Sequence, residues 1–161
     1  MALSKITNDG VATSGLPAGS VLQVVSANNS QQITTTGTTY IDTNLTASIT
    51  PSSSSNKILV MFSGSMYNDT ADVHAALTVF RGNSSTGTNL DLTGASGYGF
   101  GTAYAQGDKI KSNVVGFVLD SPSTTSSTTY TAAVRRVSGS GNVYMNVNSD
   151  TASMTLMEIA Q

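Results

Sequence analysis

The chain of 161 residues is 39% hydrophobic, only 10% charged and carries a formal net charge of −2. Its length suits one domain with a real core, while seven Lys and Arg are too few for a phosphate-binding field, so nucleic acid is not an expected partner. The absence of cysteine excludes a disulfide framework, a thiolate site and a Cys-based zinc site.

No apolar run reaches membrane-spanning length, so no membrane insertion is expected. Ser and Thr stand well above ordinary usage. Val, Ile, Thr and Tyr recur in short runs, as strands require and disorder does not. Low charge with abundant hydroxyls resembles an extracellular or virion surface.

Residues 1–18 form a separate piece. Leu3, Ile6, Val11 and Leu16 are spaced irregularly among Ser, Thr, Asn and Gly. Pro17 biases Leu16 to an extended conformation. The piece reads as an attachment arm on a body spanning residues 19–161. It lacks the apolar centre of a secretory signal, so export by that route is not expected.

The first strand is read at Ser20–Ala27. Asn28–Thr38 follows as a polar loop or weakly paired edge. Tyr40, Leu45, Ala47 and Ile49 mark the next strand, and the shift of apolar parity after Tyr40 predicts a bulge near Asp42–Asn44. Pro51–Asn56 is a turn.

Lys57–Tyr67, KILVMFSGSMY, organises the rest. Ile58, Val60 and Phe62 fall on one side of an extended strand, and Leu59 and Met61 fall on the other. One face can fill a sandwich interior. The other needs a second apolar surface, and another copy of the chain is its simplest source.

Asn68–Thr70 turns into a strand over Val73–Arg81, where alternation and β-branched residues outweigh the competing helix. Gly82–Gly107 is the longest irregular region. Ile110–Asp120 contains the two-faced run Val114–Leu119, and Ser121–Thr129 is a loop. Tyr130–Val137, Val143–Val147 and Ala152–Ile159 are the last strands. Gly139–Asn142 reads as a hairpin loop between the first two, and Asn148–Asp150 joins the second pair.

Short strands separated by turns indicate an all-β fold, an antiparallel β-sandwich with no significant helix. The two-faced strands assign Leu59, Met61 and Phe117 to a subunit interface, together with Met154 and Leu156 of the last strand or, on its other face, Met157 and Ile159.

The opening MALSKIT with GLPAGSVLQVV, the run Tyr40–Pro51, then Ser54–Val60, and the ending Thr155–Ile159 resemble small virion proteins of tailed bacteriophages, especially marine ones. The resemblance implies a fibre, spike or head-decoration protein with a jelly-roll domain. In outline such domains are similar to the C1q and tumour-necrosis-factor jelly rolls, and they commonly form homotrimers. It also implies a virion-surface location and docking on another capsid or tail protein through Leu3, Ile6, Val11 and Leu16. The family carries no fixed catalytic motif.

His74 is the only histidine. It has no second His or Cys to join it in a metal site, and a loop-end or interface role is the plainer reading. The nucleophile elbow G-x-S-x-G is absent. Asp91, Asp108, Asp120 and Asp150 sit at loops or strand ends, where Asp is ordinary turn chemistry. Arg135 and Arg136 point to opposite faces of a strand and make no basic patch.

Gly97–Gly101 alternates glycine with Tyr98 and Phe100. With Tyr104 it is a candidate receptor or glycan loop, read against a glycine-rich loop packing its own aromatics. No enzyme activity, metal or cofactor is expected. A glycan-binding adhesin module is the alternative function, and a hydrolase the third.

Overall fold

The computed structural model describes residues 16–90 and 97–161. Among these residues eleven strands form two antiparallel sheets: β1 (Val21–Asn29), β2 (Ile33–Thr35), β3 (Ile41–Ile49), β4 (Lys57–Asn68), β5 (His74–Arg81), β6 (Thr88–Asn89), β7 (Gly101–Tyr104), β8 (Ile110–Asp120), β9 (Thr128–Ser138), β10 (Val143–Met145) and β11 (Ala152–Ile159). The expected β-sandwich is therefore what the chain forms. Among the described residues the one helical element is a 3-10 turn at Val147–Ser149.

The first sheet is four strands wide. β8 runs along one edge of β4. The opposite edge of β4 is shared by β11, beside Lys57–Ser63, and β10, beside Met66–Asn68. β1 lies beyond β11 and β2 beyond β10. Thus β10 and β11 are one interrupted strand, and β1 and β2 are another.

Asn146 bridges the interruption. It takes a left-handed φ of 57° and donates from Nδ2 to the Asn29 and Gln31 carbonyls at 2.9 and 3.3 Å. The second sheet has the order β3-β9-β5, with β6 and β7 sharing the far edge of β5. Successive strands pass repeatedly from one sheet to the other.

Alternation fixes the interior. Ile58, Val60, Phe62, Met154 and Leu156 of the first sheet meet Leu45, Ile49, Leu77, Val79, Tyr130 and Val134 of the second, all buried. Asp120 ties the sheets at one end. It accepts from Arg81 Nη1 at 2.9 and 3.0 Å and from the Tyr130 hydroxyl at 2.8 Å. Burial, then the hydrogen bond to Asp120, push the Tyr130 hydroxyl's pKa far up.

The bulge expected near Asp42–Asn44 is present. The β3–β9 register shifts between Asp42 and Thr46, and Asn44 has φ 60°. The hairpin read at Gly139–Asn142 is not. β9 belongs to the second sheet and β10 to the first, so this loop crosses between sheets. Its glycines mark a turn, but turn chemistry does not say which sheet the next strand joins. Phe100 seats on Gly116 of β8, where any Cβ would lie 2.6 Å from the ring, and so helps close the sandwich between β7 and β8.

Candidate interaction surfaces

The outer face of the first sheet is built by strand register. Val24 of β1, Met157 of β11, Leu59 of β4 and Leu119 of β8 form one cross-strand row. Ser26, Thr155, Met61 and Phe117 form the next, and Asn28, Ser153, Ser63 and Val115 the third. Val115 is 71% exposed and Phe117 68%, with Met61, Leu119 and Val24 also exposed. A shallow groove between Met61, Val115 and Phe117 runs over Gly116.

Leu59, Met61 and Phe117 therefore share this face. Met154 and Leu156 do not. Both are wholly buried in the core, and β11 turns Ser153, Thr155 and Met157 outward instead. Period-two alternation separates the two sets of β11 but cannot say which one points in. Val24 and Leu119 belong to the face and went unassigned in the sequence, because only register aligns them with Leu59.

The face becomes polar along β4 and β8. Ser63, Ser65, Lys111, Asn113, Asp150 and Thr151 line a groove of about 540 Å³. Lys111 Nζ pairs with Asp150 Oδ2 at 2.7 Å, and the Ser65 hydroxyl donates to the same oxygen at 2.5 Å. These bonds, Lys111 first, hold the Asp150 carboxyl below its usual range.

The second sheet's outer face is covered by its own chain. Ala76, Thr78 and Phe80 of β5 and Thr131 and Ala133 of β9 are buried. Tyr40 packs edge-on against Phe80 at 5.6 Å, the Thr78 hydroxyl donates to Asn89 at 2.8 Å, and Gly99 lies against Thr78.

Beyond that cover lies an aromatic group. Tyr98 stacks on His74 with centroids 5.0 Å apart and planes 26° apart; Tyr104 meets the same imidazole edge-on at 5.6 Å. Burial first, then the Arg135 charge, hold His74 below its usual 6.5. Phe100, assigned to the same loop, faces away onto β8. Arg135 and Arg136 bind carbonyls: Gly97 at 2.7 Å and Thr38 at 3.2 Å for Arg135, Gly141 at 3.2 Å for Arg136.

Among the described residues no three His, Asp or Glu side chains gather as a metal site would need, and no helix is long and apolar enough to cross a membrane. Asp120 is held by Arg81 and Tyr130, Asp150 by Lys111 and Ser65, and Asp108 accepts from the Lys109 amide. Asp91 lies outside the described residues, as do Leu3, Ile6 and Val11. Leu16 is described. It lines a cleft with Leu22, Asn56 and Ala160, and the Gly19 amide beyond it donates to the Ala160 carbonyl at 2.9 Å. No protein-family model and no curated protein matches the chain.

Proposed function

We propose that this chain is a structural component of a tailed-phage virion, a homotrimeric surface appendage such as a head fibre, decoration protein or small tail fibre. The outer face of the first sheet is its subunit interface, centred on Leu59, Met61 and Phe117. One observation carries the reading: an apolar face crosses all four strand positions of one sheet and no other described residue covers it, while the other sheet's outer face is covered by the same chain.

Contiguous exposed apolar surface of this kind marks an interaction site. Fully burying one large apolar side chain contributes about 1.5–3 kcal/mol. The strand order, with each sheet four positions wide and the chain alternating between them, supports the jelly-roll description. The resemblance of the MALSKIT and VLQVV segments supports the virion assignment, and docking through residues 1–18 belongs to the same proposal.

The test is the solution mass of the purified chain and of Phe117→Glu and Val115→Lys. The wild type is expected to scatter light as a trimer. Each variant is expected to be a folded monomer, because both side chains stand clear of the core. A monodisperse wild-type monomer at micromolar concentration overturns the interface.

A further inference from the structure

We propose that Tyr98 and Tyr104, each packed on the His74 ring, form a binding platform for a neutral saccharide. The site lies on the second sheet and is separate from the subunit face.

The first argument is how Tyr98 is held. It sits between two left-handed glycines, Gly97 with φ 63° and Gly99 with φ 70°. The Gly97 carbonyl accepts from the Tyr40 hydroxyl at 2.9 Å and from Arg135 Nη2 at 2.7 Å. On the other side, the Phe100 amide donates to the Leu77 carbonyl at 2.8 Å. A side chain at Gly97 would meet the Arg135 guanidinium at 2.5 Å. The backbone is thus pinned on both sides of a residue that itself remains 38% exposed. Pre-organising an exposed aromatic in this way lowers the entropic cost of binding.

The second argument is the contrast within the loop. Phe100 uses its ring for packing and seats it on Gly116. Tyr98 and Tyr104 do not bury theirs. Tyr104 is 48% exposed, and each ring contacts His74.

The third argument is charge. Burial, then the Arg135 charge, disfavour the charged form of His74. Arg135 is committed to two carbonyls and lies over the Tyr40 ring at 4.8 Å. Among the described residues, the charged group bonded at the platform is the Asp72 carboxylate, which accepts from the Tyr104 hydroxyl at 3.3 Å. Aromatic faces carry partial negative charge and attract the polarised C–H face of a pyranose. A carboxylate beside them accepts from sugar hydroxyls and repels an anionic ligand.

The test is an NMR titration of the full chain with maltotriose and with triacetylchitotriose, using sialyllactose as the anionic comparison. A neutral trisaccharide is expected to shift Tyr98, Tyr104 and His74 signals with a millimolar dissociation constant, and sialyllactose is not. Tyr98→Ala and Tyr104→Ala are each expected to weaken binding at least tenfold, whereas Tyr98→Phe, which keeps the ring and the fold, stays close to wild type. Absence of any shift at these residues up to about 10 mM of either neutral sugar, an affinity floor near −3 kcal/mol, overturns the proposal. So does binding that Tyr98→Ala leaves intact. Light scattering on the same samples reads the subunit interface independently, so failure of one proposal is distinguishable from failure of the other.

Discussion

Glu158 is a carboxylate in β11 with 1% of its surface exposed, and its hydrogen-bond partners are neutral. It accepts from Gln23 Nε2 at 2.6 Å, from the Ser52 amide and hydroxyl at 2.7 and 2.8 Å, and from Asn56 Nδ2 at 2.7 Å. Burial by itself would raise its pKa, but the donors, Asn56 first, overcome this and hold it below the ordinary 4.5. Glu158→Ala leaves the buried Asn56 amide and the partly buried Gln23 and Ser52 donors without this acceptor and is expected to lower unfolding free energy by roughly 1–3 kcal/mol in a urea titration. Asp69 repeats the device at the other end of the molecule. Burial acts to raise its pKa, and donors from Asn142, Tyr144 and Thr70 bring it down to about 2 from 3.8. A depressed folded pKa means that the stabilisation is complete above the unfolded value and is lost as pH falls through the folded one. Stability is therefore expected to drop between about pH 4 and pH 2. The urea midpoint of Asp69→Asn is expected to fall less steeply over that window than the wild type's.

The interrupted strand pairs place a comparable demand on one side chain at the scale of an element. Asn146 supplies both the left-handed backbone and the donors that bridge the gap between β1 and β2. Asn146→Gly keeps the backbone freedom and loses the donors, whereas Asn146→Ala loses both. The alanine variant is expected to be the less stable by about 1–2 kcal/mol, the left-handed penalty of a residue with a Cβ. Equal midpoints for the two in denaturant would remove backbone strain from the account. Local pattern revealed much at this scale. The parity shift after Tyr40 located the β3 bulge, and the alternating apolar residues of Lys57–Tyr67 showed a strand with two faces to satisfy. Pattern carries no information on what lies opposite. Met154 and Leu156 were indistinguishable from Met157 and Ile159 until β11 was placed between β1 and β4. The Glu158 and Asp69 clusters join residues far apart in the chain, so no spacing announced them. Gly97–Gly101 was legible as an unusual loop, but its Tyr40 and Arg135 anchors were not.

For the molecule as a whole, the difference between its two outer faces is the organising fact. One sheet is covered by Tyr40, Asn89 and Gly99 of its own chain, and the other carries Val24, Met61, Val115, Phe117 and Leu119 in the open. The proposed docking arm is tested by removing residues 1–18. The remaining body is expected to keep its melting temperature and oligomeric mass and to fail to join particles. Normal particle decoration by the truncated chain would free the arm of that role. A body that no longer assembles would make the arm part of the subunit contact.

The position of β11 also governs the order of folding events. It is synthesised after every other described strand, yet it lies between β1 and β4 in the first sheet. The Gln23–Glu158 contact spans 135 residues. Closing so long a loop costs entropy before any pairing can offset it, and chains dominated by such distant contacts fold slowly, on the millisecond-to-second scale. A nascent chain that ends before β11 leaves β1 and β4 unpaired on facing edges and leaves the core without Met154 and Leu156. During that interval the chain is open to strand-edge aggregation, and its escape depends on how quickly the last strand arrives.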